Sequence, residues 1–224
     1  MITKKKILLN FDLDFTIIDN TIGISNSFNY ALNKFNLPPL EGTKIQLMIG
    51  TPLEEMFSSV SDSRITELCA AFRDYYGSKG IFEVKLIPGA VKTLSKLRGV
   101  GFKLGVITSK KHEMAVKLLK NLNLFDLFSF VLGETEEIRN KSDPKIRALL
   151  DNKFPNHKFA VIGDHINDRA LAETLNCPFI GVLTGNHSKK QLVNQSKTKT
   201  VIVNSIGEIS VEMVSELFSN SNLI

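Results

Sequence analysis

Aspartates follow two separate apolar segments of this chain. Asp12 and Asp14 come directly after a segment that ends at Phe11, and Asp164 follows a second apolar segment. Residues i and i+2 of an extended chain point the same way, so the carboxylates of Asp12 and Asp14 share one side. Close carboxylates repel each other and attract a divalent cation, and oxygen ligands favour Mg²⁺. The pattern predicts a metal site, although aspartates are also common in solvated turns.

Asn167 and Asp168 lie just beyond Asp164. If the two apolar segments are neighbouring strands, Asp164 completes a metal site with Asp12. Asn167 and Asp168 then support that site from a second layer. Either residue is also a suitable cap for the helix predicted over 169–175, and the two roles are compatible.

Two further segments carry groups that bind phosphate. Thr108 and Ser109 end another apolar segment, where hydroxyls and the backbone N–H groups of a following helix form a phosphate cradle. Serine and threonine also cap many ordinary helices. Lys141 precedes a predicted helix, from which its charge would stabilise both a nucleophile and a transferring phosphoryl group. Lys145 is the alternative residue for that role.

These groups meet only if a sheet brings the strand ends together. Segments rich in β-branched and aromatic residues predict strands at 6–11, 102–107, 129–132, 159–162 and 179–183. Helical stripes alternate with them, which predicts an α/β fold: a Rossmann-like parallel sheet with helices on both faces. A short strand at 202–203 and a helix over 206–218 are expected to follow.

Residues 20–83 break this alternation. The stretch has no convincing central strand, and two stripes at helical spacing begin at Ile24 and Ile65. We therefore predict an all-α cap domain over 20–83, inserted after the first strand. The catalytic core would comprise 1–19 and 84–224, and Pro88-Gly89 marks a turn where it resumes.

Composition is that of a globular cytoplasmic protein. Of 224 residues, 43% are hydrophobic and 23% charged, and the apolar run after the basic start is too short for a signal peptide or a membrane span. The net charge of +5 favours anionic substrates. Because the lysines are scattered and not interleaved with aromatic residues, we expect no nucleic-acid partner. Cys69 and Cys177 have no disulfide or zinc-site spacing.

In this order, the four segments resemble the four motifs of the haloacid dehalogenase superfamily, in its phosphatase branch. Asp12-Leu13-Asp14 with Thr16 is similar to motif one, Thr108 to motif two, Lys141 to motif three, and Gly163-Asp164 with Asp168 to motif four. The resemblance spans almost the whole chain. Asp19-Asn20, the stretch 49–53 and Pro88-Gly89 further resemble the phosphoglycolate phosphatase-like group, whose helical cap lies between motifs one and two.

The resemblance implies a role for each residue. Asp12 would attack phosphorus, and Asp14 would serve as general acid and then as general base. Mg²⁺ would bind the carboxylates of Asp12 and Asp164 and the backbone carbonyl of Asp14. Thr108 and Lys141 would hold the phosphoryl group. Further substrate contacts are expected from Thr16, Ser109, Gly50 and Thr51. The expected partner is a small phosphorylated metabolite, and the expected assembly a monomer or homodimer.

Two positions depart from the family pattern. Phe15 stands where the family usually has glycine, and Ser142 where proline often follows the motif-three lysine. Phenylalanine resists backbone angles that glycine tolerates. The turn at Phe15 must therefore adopt ordinary angles or carry strain.

Alternatives to a phosphatase remain open. A phosphosugar mutase or a pyrophosphatase would use the same scaffold, and a binding or regulatory protein would keep the fold without turnover. Dehalogenation is disfavoured, because it needs neither Asp14 as acid/base nor a magnesium site. His165 lies between the motif-four acids, where a hydrogen bond to its own loop is favoured over a catalytic role.

Overall fold

The computed structural model describes residues 4–219, and its centre is a six-stranded sheet in the order β5-β4-β1-β6-β7-β8. All neighbouring strands in this sheet are parallel. The strands are β1 (Ile7–Phe11), β4 (Lys103–Lys111), β5 (Phe130–Glu134), β6 (Lys158–Gly163), β7 (Phe179–Val182) and β8 (Thr200–Val203). Because β1 is flanked on both sides, all five of its residues are buried, which explains its apolar composition.

Helices cover both faces of this sheet. They are α5 (Ala90–Gly99), α6 (His112–Asn121), α7 (Lys145–Lys153), α8 (Ile166–Thr174), α9 (Lys189–Val193) and α10 (Val211–Ser219). One face packs against α7, α8 and α9 in a buried cluster that includes Leu8 and Ile107. Side chains alternate along a strand, so the buried Leu9 and Val106 point to the other face. The helices α5 and α6 contact β4 and contribute nothing to the first cluster.

Residues Asp19–Lys85 form a separate compact unit. Its helices are α1 (Thr21–Lys34), α2 (Gly42–Met48), α3 (Leu53–Ser58) and α4 (Ile65–Ser78). Its core is aromatic: the rings of Phe28 and Phe57 stack at 4.2 Å between centroids, and Phe72 meets Phe57 edge-on. The short strands β2 (Ile18–Asp19) and β3 (Lys85–Leu86) pair where the chain enters and leaves this unit.

The predicted α/β fold with a parallel sheet is confirmed. Several predicted elements have different bounds: the strand predicted at 102–107 is β4, which extends to Lys111, and the helix predicted over 169–175 is α8, which begins at Ile166. The last helix was expected from Ile206, but Ile206–Glu208 form a 3₁₀ turn and α10 begins at Val211. The intervening Ile209 has an extended backbone, which ends the turn before the helix starts. Within residues 4–219, no helix has the length and apolar character needed to cross a bilayer.

Candidate active site

The predicted aspartates lie at the carboxyl edge of the sheet because their strands are adjacent. Phe11 of β1 is in register with Val106 of β4 and with Ile162 of β6. The Asp12 N–H extends this pairing, donating to the Ile162 carbonyl at 2.9 Å. Side chains that follow these three strands therefore meet at one edge, the usual place for ligands in open α/β sheets.

Three carboxylates cluster at this edge. Asp12, Asp164 and Asp168 each present an oxygen within 4.8 Å of the others, and the residues are 7%, 4% and 0% exposed. Burial and the charges of its neighbours raise the pKa of Asp164 to about 8, and burial is also the main cause that raises the pKa of Asp12 to about 6. Such a set of oxygen donors fits Mg²⁺, because a divalent cation would offset both the burial and the repulsion.

Lys141 supplies a buried positive charge within this cluster. Its Nζ lies 2.7 Å from Asp12 Oδ1 and 2.6 Å from Asp168 Oδ1, and its side chain is 4% exposed. Burial alone would lower the pKa of Lys141, but the charges of Asp12 and Asp168 outweigh burial and raise it. Lys141 is therefore a fixed cation beside Asp12. Lys145, the alternative, is exposed and donates to the Glu137 carbonyl.

Asp168 links Lys141 to the start of helix α8. Its second oxygen accepts the His165 N–H at 3.0 Å, and His165 Nδ1 accepts the Asn167 N–H at 3.1 Å. The helix begins at Ile166 rather than at Arg169, so the predicted cap was wrong: His165 is the capping residue of α8, and Asn167 and Asp168 lie in its first turn. Burial, then His187 and Lys141, lower the pKa of His165 to about 4, so the ring is neutral at physiological pH. Asn167 contributes its backbone N–H, which donates to the His165 ring in this cap.

The loop from Leu13 to Ile18 is stabilised by hydrogen bonds to the Leu13 carbonyl. The Leu13 oxygen accepts the N–H groups of Thr16, Ile17 and Ile18 at distances from 2.9 to 3.2 Å. Phe15 lies inside this loop with a positive φ of 56° and is buried. The sequence left open whether the turn at Phe15 has ordinary backbone angles or strained ones, and this positive φ is the strained conformation. Thr16 is fully buried, and its hydroxyl donates to Asp164 Oδ1 at 3.3 Å.

Asp14 is not one of the three clustered carboxylates, although its charge contributes to the raised pKa of Asp12, and it pairs with Lys110. Lys110 Nζ is 3.2 Å from Asp14 Oδ2. Thr108, two residues before Lys110, is 5% exposed, whereas Ser109 is exposed. Thr108, Ser109 and Lys141 line one small cleft, which brings together the three residues expected to hold phosphate.

The loop after β7 also reaches the site, and sequence reasoning missed it. The Thr184 hydroxyl donates to the Phe15 carbonyl. Gly185 packs against Asp164 so closely that a Cβ there would lie 1.8 Å from Oδ2. The available signal was positional: Leu183 ends a predicted strand of the same parallel sheet, so the residues after it lie at the same edge.

Gly50 and Thr51 lie in the helical unit, between α2 and α3. Gly50 has a positive φ of 105°, a conformation that favours glycine. Thr51 is exposed, and its hydroxyl donates to the Met48 carbonyl at 2.7 Å. The two residues form a tight turn that presents Thr51 at the surface of this unit.

A family model described as haloacid dehalogenase-like hydrolase matches residues 9–182. The chain belongs to this family. It is 32% identical over 219 residues to a protein named probable phosphatase IndB of Dickeya dadantii, covering 91% of this chain and 92% of that protein. It is 30% identical to a phosphoglycolate phosphatase of Mannheimia succiniciproducens, and the match covers 80% of this chain and 86% of that protein.

Solved structures agree with this assignment. A haloacid dehalogenase-like family hydrolase of Streptococcus pneumoniae has a TM-score of 0.82 and 27% identity, covering 95% of this chain and 98% of that one. The resemblance to the phosphoglycolate phosphatase-like group is therefore confirmed, and the chain is a hydrolase of the phosphatase type.

Proposed function

We propose that this enzyme is a magnesium-dependent phosphatase that hydrolyses small phosphomonoesters through an aspartyl-phosphate on Asp12. The observation that carries the proposal is the pairing of Asp12 with Lys141 inside a buried acidic cluster. A nucleophilic carboxylate must face an anionic phosphoryl group. The adjacent cation offsets the charges of both.

Phosphoryl transfer to the enzyme is the first chemical step. An Asp12 carboxylate oxygen attacks phosphorus, and the bond from phosphorus to the leaving oxygen breaks. Asp14 donates a proton to that leaving oxygen, so the product departs as an alcohol. Lys141, Thr108 and Ser109 hold the phosphoryl oxygens, which is consistent with the cleft that these three residues line.

Hydrolysis of the aspartyl-phosphate is the second step. Asp14, now a carboxylate, takes a proton from water as the water oxygen attacks phosphorus. The bond between phosphorus and the Asp12 oxygen breaks, which releases inorganic phosphate and restores both aspartates. The buried Thr16 and the partly buried Gly185 keep Asp164 in place through both steps, because each contacts its carboxylate.

Magnesium is proposed to bind the carboxylates of Asp12 and Asp164 and the backbone carbonyl of Asp14. When bound, it supplies positive charge that neutralises the phosphoryl oxygens. The donor set supports this assignment, since two of these three residues belong to the buried acidic cluster. Asp168 is already engaged by Lys141 and the His165 N–H, so we place it in the second layer.

The proposed substrate is phosphoglycolate or a similarly small phosphomonoester. The support is the 30% identity to the phosphoglycolate phosphatase of M. succiniciproducens. We also propose that the helical unit acts as a cap that selects the leaving group, with the turn at Gly50 and Thr51 as part of its selective surface. The turn offers an exposed hydroxyl on a fixed backbone.

Phosphate release from a substrate panel tests this function. The panel contains phosphoglycolate, sugar phosphates, nucleotides, pyrophosphate and 4-nitrophenyl phosphate, each with and without Mg²⁺. We expect magnesium-dependent release from small phosphomonoesters and none from the Asp12→Asn variant. This variant keeps the shape of the side chain but removes the nucleophile.

Each alternative gives a different result on the same panel. A pyrophosphatase releases phosphate from pyrophosphate in preference to the esters. A mutase interconverts sugar phosphate isomers with little release, and a binding or regulatory protein without turnover neither releases phosphate nor interconverts isomers. Equal release by wild type and Asp12→Asn would rule out the aspartyl-phosphate mechanism.

A further inference from the structure

Lys141 and Lys110 both pair with acidic side chains at the carboxyl edge of the sheet, but each pairs with different aspartates. Lys141 lies between Asp12 and Asp168, whereas Lys110 pairs with Asp14 at 3.2 Å. The side chains of Lys110 and Asp14 are 10% and 18% exposed, so the pair is largely shielded from water. The proposed general acid/base therefore has a cation of its own, separate from the one beside the nucleophile.

An irregularity in β4 brings Lys110 to this position. The register between β4 and β5 shifts between Ile107 and Lys111, and irregularities of this kind change the direction of side chains near active sites. The Lys110 N–H donates to the Thr108 hydroxyl at 3.3 Å. The Lys110 carbonyl packs on Gly133, where an added Cβ would lie 2.4 Å from the oxygen. The backbone of Lys110 is thus held on both sides.

The backbone of Asp14 is also held in place. Asp14 forms a bridge with Ile18, and the next N–H, from Phe15, donates to the Ile18 carbonyl at 2.7 Å. A carboxylate side chain adopts one of a few staggered orientations, and the ion pair with Lys110 favours the one that brings Oδ2 to the Lys110 Nζ. A general acid must lie within hydrogen-bond reach of the leaving oxygen, so its orientation affects the rate directly.

We propose that Lys110 is a positioning residue that holds the Asp14 carboxylate in its working orientation. The inference rests on the proposed phosphatase function and adds a residue to its proton-transfer machinery. In this role Lys110 acts on the transfer of the proton, whereas Lys141 and Thr108 act on the phosphoryl group. Loss of Lys110 should therefore slow reactions that need a proton at the leaving oxygen and leave substrate binding nearly unchanged.

The test compares two substrates with different leaving groups. An alkyl phosphate leaves as a strongly basic alkoxide that needs a proton, whereas 4-nitrophenolate leaves readily without one. We expect Lys110→Met to lower kcat/KM for the alkyl phosphate by about tenfold or more, with a much smaller effect on 4-nitrophenyl phosphate and on KM. Lys110→Arg should retain most of the activity, because it keeps the charge.

Lys111→Met is the matched control, since Lys111 is an exposed neighbouring lysine whose loss changes the net charge equally. Its kinetics should equal those of wild type. Asp14→Asn should show the same dependence on leaving group as Lys110→Met. Adding Lys110→Met to Asp14→Asn should cause no further loss, because the two residues act through one step.

Three results would overturn the inference alone: equal losses on both substrates, a further loss in the double variant, or an equal effect of Lys111→Met. Wild-type protein that releases no more phosphate than Asp12→Asn would overturn the proposed function, and this inference with it. If Lys110→Met does not fold, Lys110→Gln keeps the polar side chain and allows the same comparison.

Discussion

Phe15 occupies a backbone conformation that a side chain makes unfavourable. At its φ of 56° the β-carbon crowds the backbone, which costs about 1 kcal/mol or more. We expect both Phe15→Ala and Phe15→Gly to lower the free energy of unfolding, because each removes a buried ring. Glycine should nevertheless be the more stable by about 1 kcal/mol, since it alone relieves the strain. Urea unfolding of the two variants measures this difference.

Leu13 provides the control for that comparison. It is fully buried in the same loop and is not among the residues with positive φ. There the order should reverse, with Leu13→Ala more stable than Leu13→Gly. If alanine is also the better residue at position 15, the backbone there is not strained.

Metal binding is expected to release protons. Burial raises the pKa of Asp12 to about 6 and that of Asp164 to about 8 in the metal-free protein, so at pH 7 Asp164 is mostly protonated. Mg²⁺ requires ionised carboxylates, so its affinity should rise with pH by up to about tenfold per unit between about pH 6 and pH 8, and more steeply below pH 6, where Asp12 is protonated as well. Calorimetric Mg²⁺ titrations at pH 7 should give heats that depend on the ionisation enthalpy of the buffer. Equal heats in all buffers would mean that both carboxylates are already ionised.

The meeting of Asp12, Asp164 and Lys141 could be anticipated from the sequence, whereas the pairing of Lys110 with Asp14 could not. Asp12 and Asp164 each follow a strand, and parallel strands end at one edge. The position of the Lys110 side chain depends on the irregularity in β4, and no pattern of residue types in the sequence indicates that irregularity. The contact of Thr184 with Phe15 likewise joins two loops whose paths depend on tertiary packing.

At the scale of secondary structure, β1 contains one residue that does not suit its surroundings. Asn10 is fully buried at the centre of the sheet, and neither of its side-chain polar atoms has a hydrogen-bond partner among the described residues. A buried amide without partners costs about 1–3 kcal/mol. We expect Asn10→Val to raise the free energy of unfolding by about 1 kcal/mol or more, because valine suits a central strand. Urea unfolding again provides the measurement.

The Asn10→Asp variant tests whether the polarity of residue 10, rather than its size, determines stability. Aspartate is nearly isosteric with asparagine but places a charge in the sheet, so it should lower stability. The expected order of stability is valine, asparagine, aspartate. A valine variant that is less stable than wild type would indicate that Asn10 is satisfied by an internal water.

Strand and helix type were predicted better than their ends. The predicted strand at 102–107 continues in the structure to Lys111, because pairing with β5 resumes after the irregularity. The last helix begins at Val211, although the apolar pattern starts at Ile206. In both cases the apolar pattern indicated which residues are buried, while the hydrogen bonds that define the boundary depend on neighbouring elements.

At the scale of the whole molecule, the helical unit is expected to control which ester is hydrolysed. Replacing residues 50–53 with the equivalent turn of a relative should change the ratio of kcat/KM values across the substrate panel. Hydrolysis of 4-nitrophenyl phosphate should change little, since the proposed chemical residues are untouched. An unchanged preference across the panel would contradict this role for the turn.

A control for the turn replacement is Ser58→Ala within the same unit. The Ser58 hydroxyl is exposed and donates to the Glu54 carbonyl, as the Thr51 hydroxyl donates to that of Met48. It lies at the end of α3 rather than in the turn. Its removal should leave both the preference profile and the rate unchanged.

The connectivity of the sheet has a consequence for synthesis on the ribosome. The central strand β1 pairs with β4 on one side and β6 on the other, and these strands begin at Lys103 and Lys158. A hydrophobic strand therefore leaves the ribosome long before its partners exist, which exposes it to aggregation. The helical unit, built from contacts within Asp19–Lys85, emerges next and can fold in the interval. The order of the chain thus makes the nascent β1 segment the part most in need of a chaperone.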